Sequence, residues 1–438
     1  MPELNFLITL RQKTRASFKE IFKAQETREL VAFITSQFVA FLVFMSLVQI
    51  FPLYLQKSTN LSQEEVYIKW GIIVAAYTFG GIITRIPSGY LIERFGRRIL
   101  IILSYIVMTL AVGGLAFTEN TILLAFLWII LRSSNNIFGL SSRSLLSDLE
   151  TKYKGFYNAI ISTSGRFGSL IGTISLGVLL DFFDPVVMLI FVFVLSIIGV
   201  ILFYVIFTKG KGEEKQIERR KDLENGVKTN LKIHHFNNKT FIFFFTAFVI
   251  FGLMDGLTSP QFSLYGYNII GLSESIVGTI IGLSNISFII IGPIIGLAIS
   301  FRKQIIDIIL LVACILISVD FLLIFLMPFS KLMFIVFLFV RSAGHALFFP
   351  LVMTILTSEL DKKHFSILYS IITTAFFLGI SGTSYASGVL LNIDVTYFWL
   401  SSFIASIVLV IVILIFLVFN KRNERDLKEQ TIEFAGLK

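Results

Sequence analysis

The feature that most limits what this chain can fold into is the recurrence of apolar runs too long for a soluble core. Residues 99–118 and 186–208 pass without one charged side chain, and comparable runs recur along the sequence. A helix needs about 20 predominantly apolar residues to cross a bilayer, whereas an apolar stretch of about 10–14 is typical of a buried core helix. In hydrocarbon every backbone N–H and C=O must be paired within the protein, so such runs belong to helices or to a closed barrel. Barrel strands alternate apolar and polar residues over about ten positions, and here the apolar character is continuous. Composition agrees, with 55% of the 438 residues apolar and 15% charged, against roughly 25% charged in a soluble domain. The expectation is an all-α membrane protein whose first partner is the lipid bilayer.

Charged breaks and turn residues divide the chain into twelve spans, at 30–53, 67–92, 98–117, 121–146, 155–180, 185–207, 240–266, 273–299, 304–327, 330–356, 364–390 and 395–420. Most connections are short, which suits antiparallel neighbours in a bundle. Of the 37 Lys and Arg residues, 30 fall on the side that holds the two termini, and only Lys57, Lys69 and Lys331 on the other. The positive-inside rule then places both termini in the cytoplasm of a multi-pass protein of the cell membrane. The net charge of +9 is thereby read as orientation, not as a nucleic-acid surface. The single Cys314 can form no internal disulfide, and the charged first 28 residues lack the apolar core of a cleavable signal.

The expected organisation is a cytoplasmic segment 1–29, a six-helix bundle 30–207, a cytoplasmic linker 208–239, a second six-helix bundle 240–420 and a cytoplasmic tail 421–438. His234 and His235 beside the linker are read as solvated rather than metal-binding, and no metal or other cofactor is expected. The halves repeat one another. Leu61-Ser62 and Val66 recur as Leu272-Ser273 and Val277, Arg132-Ser133 as Arg341-Ser342, and Gly177-Val-Leu-Leu-Asp181 as Gly388-Val-Leu-Leu-Asn392, at offsets of 211, 209 and 211 residues. Six spans is an even number, so the repeat is parallel, about an axis along the membrane normal.

Between spans 2 and 3 stands Gly89-Tyr-Leu91-Ile-Glu93-Arg94-Phe-Gly96-Arg97-Arg98. Gly89 permits close helix approach and Gly96 a tight turn, while an acid beside three arginines offers ion pairs that can form in one conformation and break in another. The segment resembles the major facilitator signature G-x-L-x-D-R-x-G-R-[RK], with Glu93 for the usual Asp. The resemblance implies twelve transmembrane helices in two six-helix bundles, and a latch in which Glu93 faces the start of span 11 and Arg97 pairs with Asp148. Arg132-x-x-Asn135-Asn136 is similar to the family's R-x-x-Q-G motif. The glycines at Gly168, Gly172 and Gly177 are similar to its antiporter pattern, with Thr173 for Pro and Leu176 for Gly; close helix packing through small residues is the reading preferred for them.

Ionisable residues at membrane depth are costly, at least about 2.5 kcal/mol each, so they face the bundle interior or a wet cavity and mark function. Arg132, Arg166, Asp255, Arg341 and His345 are such residues. Asn135 and Asn136 share a helical face with Arg132, as His345 does with Arg341, and Gln37, Gln49 and Gln261 are candidates to complete a polar lining. In the resembled family spans 1, 4, 7 and 10 line the cavity. Three arginines against one central carboxylate favour an anionic substrate, since guanidinium binds carboxylate or phosphate in a bidentate way. Asp255 and His345 are the candidate proton carriers; Asp320, in the outer half of span 9, is read as structural.

Gly210-Lys211 is followed by Gly212, not by the Ser or Thr of a nucleotide-binding loop, and no HExxH, GxSxG or cysteine pair appears. The expectation is therefore not an enzyme but a secondary transporter, working as a monomer by alternating access, of a small organic solute that is anionic and proton-coupled. The alternatives are a proton-driven multidrug efflux antiporter and a non-transporting receptor or scaffold on the same fold.

Overall fold

A computed structural model of the chain describes residue 31 and residues 34–59, 61–147, 154–208, 238–301, 306–359 and 365–436. Among them, twelve helices are long and apolar enough to cross a membrane. We number them α1 (Ile34–Ser58), α2 (Gln63–Phe95), α3 (Arg97–Leu115), α4 (Thr121–Ser147), α5 (Lys154–Phe182), α6 (Pro185–Thr208), α7 (Asn238–Thr258, continued by shorter turns to Ile269), α8 (Glu274–Phe301), α9 (Ile306–Leu326), α10 (Lys331–Glu359), α11 (Phe365–Ile393) and α12 (Val395–Gly436). The expected N-terminal segment and residues 209–237 of the expected linker, His234 and His235 among them, lie outside the described residues, while Thr208 ends α6 and Asn238 begins α7. Residues of the expected tail up to Gly436 continue α12 as helix, since residues 419–435 carry Lys, Arg, Glu and Gln, which favour helix, with neither Gly nor Pro.

The repeated Leu-Ser motifs are helix starts. Ser62 Oγ accepts from the Glu65 amide at 3.3 Å while Glu65 Oε2 accepts from the Ser62 amide at 2.8 Å, a reciprocal capping box. At the matching place Ser273 Oγ accepts from the Ile276 amide at 3.4 Å. The repeat also survives in packing. Phe51 of α1 meets Trp128 of α4 edge-on with centroids 5.1 Å apart. Phe262, 211 residues on, meets Phe337, 209 residues on, at 5.5 Å in the same T-shaped arrangement.

Gly96, at φ +86°, is the one-residue turn between α2 and α3, a backbone angle that side chains with a Cβ avoid. Gly89 does not serve close approach as expected: a Cβ there would meet nothing within 4 Å among the described residues. Asp148 lies outside the described residues, as does any pairing of it with Arg97, and the Glu93 side chain is likewise not described.

Two seams join the halves. Along α5 and α8, a Cβ on Gly177 would stand 2.9 Å from Gly278 Cα, so only small residues let these helices touch. Gly168 and Gly172 instead face the α1 backbone at Phe38 and Leu42. Along α2 and α11, Ser381 Oγ donates to Ala75 O at 3.2 Å. At the end of the bundle where α1 and α7 terminate, Trp70 Nε1 donates to Pro260 O at 2.5 Å and Gln261 Nε2 to Tyr67 O at 3.1 Å. Lys57 Nζ stands 3.5 Å from Glu274 Oε1, and Ser275 donates to the Asp181 carboxylate. The halves are thus fastened together at this end.

Candidate functional site

The α7 helix gives way at Ser259. Pro260 lacks an N–H and ends regular α-helix, and the chain continues as a 3-10 turn Ser259–Gln261 and, further on, a π turn Tyr265–Ile269. Broken helices at membrane depth are tolerated where side chains or a cavity satisfy the freed backbone. Here the break borders a cavity of about 90 Å³, lined by residues of α1, α5, α7, α8 and α10. That space holds a few waters or a small polar group and is smaller than a drug-sized pocket, typically about 300–1,000 Å³.

Two arginines line it from opposite halves. Arg341 of α10 pairs with Asp255 of α7 through Nη2 and also donates to Ser259 Oγ at 3.3 Å, its guanidinium lying 4.5 Å over the Phe262 ring. His345, one turn on, brings Nε2 to 4.0 Å from Asp255 Oδ1, too long for a hydrogen bond. Its imidazole packs against Phe251 and Phe349, with centroids 5.0 and 5.9 Å away. Asp255 therefore stands between a guanidinium and an imidazole.

Arg166 of α5 has no carboxylate partner among the described residues. Its Nη1 donates to Asn285 Oδ1 of α8 at 3.3 Å, and its guanidinium lies 4.6 Å over Phe288. The Asn285 amide nitrogen donates back to the carbonyls of Ile281 and Gly282, both at 3.2 Å, which turns its oxygen toward the arginine. Gln49 also lines the cavity, its carbonyl oxygen held by the Thr173 hydroxyl at 2.6 Å.

The other expected site residues lie elsewhere. Arg132 donates to Tyr77 OH at 2.9 Å and is sandwiched between the Tyr77 and Phe377 rings, 4.8 and 4.2 Å away. Asn136 is buried and donates to Gly81 O at 2.8 Å, accepting from Arg85 at 3.5 Å, while Asn135 is half-buried. Gln261 is fully buried on Tyr67 O, and Gln37 is half-buried on α1 away from the cavity lining. Asn285, Ser259, Phe262 and Phe288, which sequence reading did not single out, are lining residues. A lone Asn within the apolar run of α8 and a Ser-Pro pair within α7 were the available signals.

Compared with known families, the sequence matches the Major Facilitator Superfamily over residues 33–383. The chain belongs to the major facilitator superfamily. The match reaches from α1 into α11 and includes every residue of the cavity. No curated protein sequence matches the chain. Among solved structures, the human organic anion transporter MFSD10 (TETRAN) superposes with a TM-score of 0.67 at 13% identity, covering 89% of this chain and all of that one. At that identity the likeness shows the fold alone; it is the family match that makes the chain a transporter rather than an enzyme.

Proposed function

We propose that this major facilitator transporter moves a small organic anion together with protons by alternating access. The observation that carries the reading is the charge of the cavity. Two guanidiniums face one space of about 90 Å³ and, among the described residues, a single carboxylate, Asp255, pairs with one of them. Arg166 rests on an amide and an aromatic ring, so its positive charge is available to a carboxylate or phosphate ester, which a guanidinium grips through two parallel hydrogen bonds.

Asp255 supplies the link to protons. While ionised it occupies Arg341. Protonation removes its charge and frees the guanidinium for the solute, so anion and proton load together. Movement then follows from the two halves rocking about the cavity. The fastening of Lys57, Trp70 and Asp181 to Glu274, Pro260 and Ser275 corresponds to closure of one face. The excess of Lys and Arg at the opposite end makes that opposite face cytoplasmic, in the cell membrane. The human organic anion transporter shares the fold, but the anion reading for this chain rests on Arg166 and Arg341.

Uptake into proteoliposomes tests it, with carboxylates, phosphate esters and cationic drugs offered with and without an imposed pH gradient. Anion accumulation driven by inward proton movement and lost in Arg166→Gln and Arg341→Gln is expected. Cationic drug transport indifferent to both arginines would instead establish a multidrug antiporter.

A further inference from the structure

One buried carboxyl has no part in the scheme above. Asp320 of α9 is completely inaccessible, and neither of its oxygens has a hydrogen-bond partner among the described residues. An ionised carboxylate in such a place costs several kcal/mol, whereas a neutral one forgoes only ordinary hydrogen bonds.

Helix register shows what Asp320 faces. The α9 and α10 helices run antiparallel in contact, and a Cβ on Gly344 would collide with the Ile317 side chain. One turn back along α10 is Arg341, and one turn forward along α9 is Asp320. The two stand at the same level of the α9–α10 contact as measured from Gly344 and Ile317. Phe321 and Phe337, nearly one turn out of that register, add a further contact between the two helices, with ring centroids 5.3 Å apart. Arg341 is also the cation whose field acts on Asp320. Arg341 uses Nη2 on Asp255 and Ser259, while its Nε is buried without a hydrogen-bond partner among the described residues. An unused guanidinium donor and two unused carboxyl acceptors therefore stand at one level of adjoining helices.

The other groups around Asp320 do not compete for this role. From α10 the remaining ionisable side chain near this level is His345, which is turned to Asp255. The α12 helix, which also packs on α9, brings the uncharged Trp399 and Ser402, and between Val395 and Val418 its one ionisable side chain is the exposed Tyr397. On α9 itself there are the buried Cys314 and, more than three turns away, Asp307.

We propose that Asp320 is a second proton-binding site of the transport cycle, alternating with Asp255 as the partner of Arg341. In the present arrangement Asp255 is ionised and paired, and Asp320 carries the proton. With no solute bound, the exchanged arrangement pairs Arg341 with Asp320, and the proton released from Asp320 passes to Asp255. Charge and proton count are unchanged, and a proton has moved from the α9 face to the cavity. The inference rests on the proton-coupled reading above.

The test uses full-length protein in proteoliposomes. It compares anion accumulation under an inward pH gradient of one unit with anion exchange at equal pH. One proton per anion makes such a gradient worth about tenfold accumulation. Asp320→Asn is expected to abolish accumulation while exchange and thermal stability stay within about twofold and a few degrees of wild type. Asp320→Glu is expected to retain accumulation with a displaced pH profile, which serves as the readout if the Asn variant fails to fold. Asp320→Asn accumulating as wild type, or an unmoved profile in Asp320→Glu, overturns the role of Asp320 and leaves the proton-coupled reading intact. A wild-type protein indifferent to the gradient overturns both.

Discussion

Arg166 is held in place by the other half of the protein: its Nη1 donates to Asn285 Oδ1 at 3.3 Å, and Phe288, nearly one turn beyond Asn285, lies beneath its guanidinium. The cavity's uncompensated charge is therefore positioned by α8 although it is carried by α5. Replacing Asn285 by Leu keeps the bulk and removes the acceptor. A hydrogen bond to a charged group is worth about 1.5–3 kcal/mol, so the KM for a transported anion is expected to rise roughly 10- to 100-fold. Radiotracer uptake kinetics with KM and maximal rate fitted separately decide it. Arg166→Lys, which keeps the charge but not the planar fork, is expected to retain only part of the affinity.

The Asp255–Arg341 pair predicts a pattern of stabilities rather than one value. Removing one partner of a buried pair leaves an uncompensated charge and costs about 3–5 kcal/mol, while removing both often costs less. Asp255→Asn and Arg341→Gln should each lower the melting temperature in detergent, and the double substitution should recover part of the loss. Strict additivity of the two losses would show that the pair makes no energetic contact.

How much of this was legible in the sequence depended on the length scale of the physics. The spans could be read because lipid demands about 20 apolar residues at a stretch. The halves could be read because Ser62 and Ser273 cap corresponding helices. Which polar residue enters the cavity depends on helix rotation and on the identity of the neighbour, and periodicity within one span carries neither. Arg132 and Arg341 occupy equivalent positions in the repeat, yet Tyr77 and Phe377 enclose the first while Asp255 pairs with the second. Gln261 looked like lining and instead ties α7 to the Tyr67 carbonyl. The break at Ser259 decided that outcome, since it turns the residues after Pro260 away from regular helical phase.

The glycine seam between α5 and α8 makes a prediction about packing. With a Cβ at Gly177 only 2.8 Å from Glu274 O and 2.9 Å from Gly278 Cα, both contacts being backbone, no side-chain rearrangement relieves the overlap. Gly177→Val should separate the helices and cost about 1–3 kcal/mol or more, seen as lower yield of monodisperse protein and a lower melting temperature. Gly139→Ala is the control, since a Cβ there would meet nothing within 4 Å among the described residues. Equal behaviour of the two variants would remove the seam from the account.

The ion pair at the closed end predicts a shift in conformational balance. Lys57 Nζ lies 3.5 Å from Glu274 Oε1 and also donates to Leu180 O, joining the end of α1 to α5 and to the start of α8 across the two halves. The lysine is a third exposed and the glutamate nearly buried, so the pair lies between the surface case, about 0.2–1 kcal/mol, and the costlier buried one. Lys57→Gln therefore loses up to about 1 kcal/mol of closure, which is a shift of up to about fivefold in the open fraction at this end. A cysteine placed at Ser263, which lines the cavity beside the break in α7, should react faster with an impermeant thiol reagent added from the Lys57 side once Lys57 is replaced. Cys314 is exchanged for Ala beforehand, being the protein's one native thiol. High salt should raise the rate in the parent and leave Lys57→Gln little changed, because screening and substitution remove the same attraction. An identical rate in both proteins at low salt would mean that the indole and amide bonds of Trp70 and Gln261 hold this face without help from the charges.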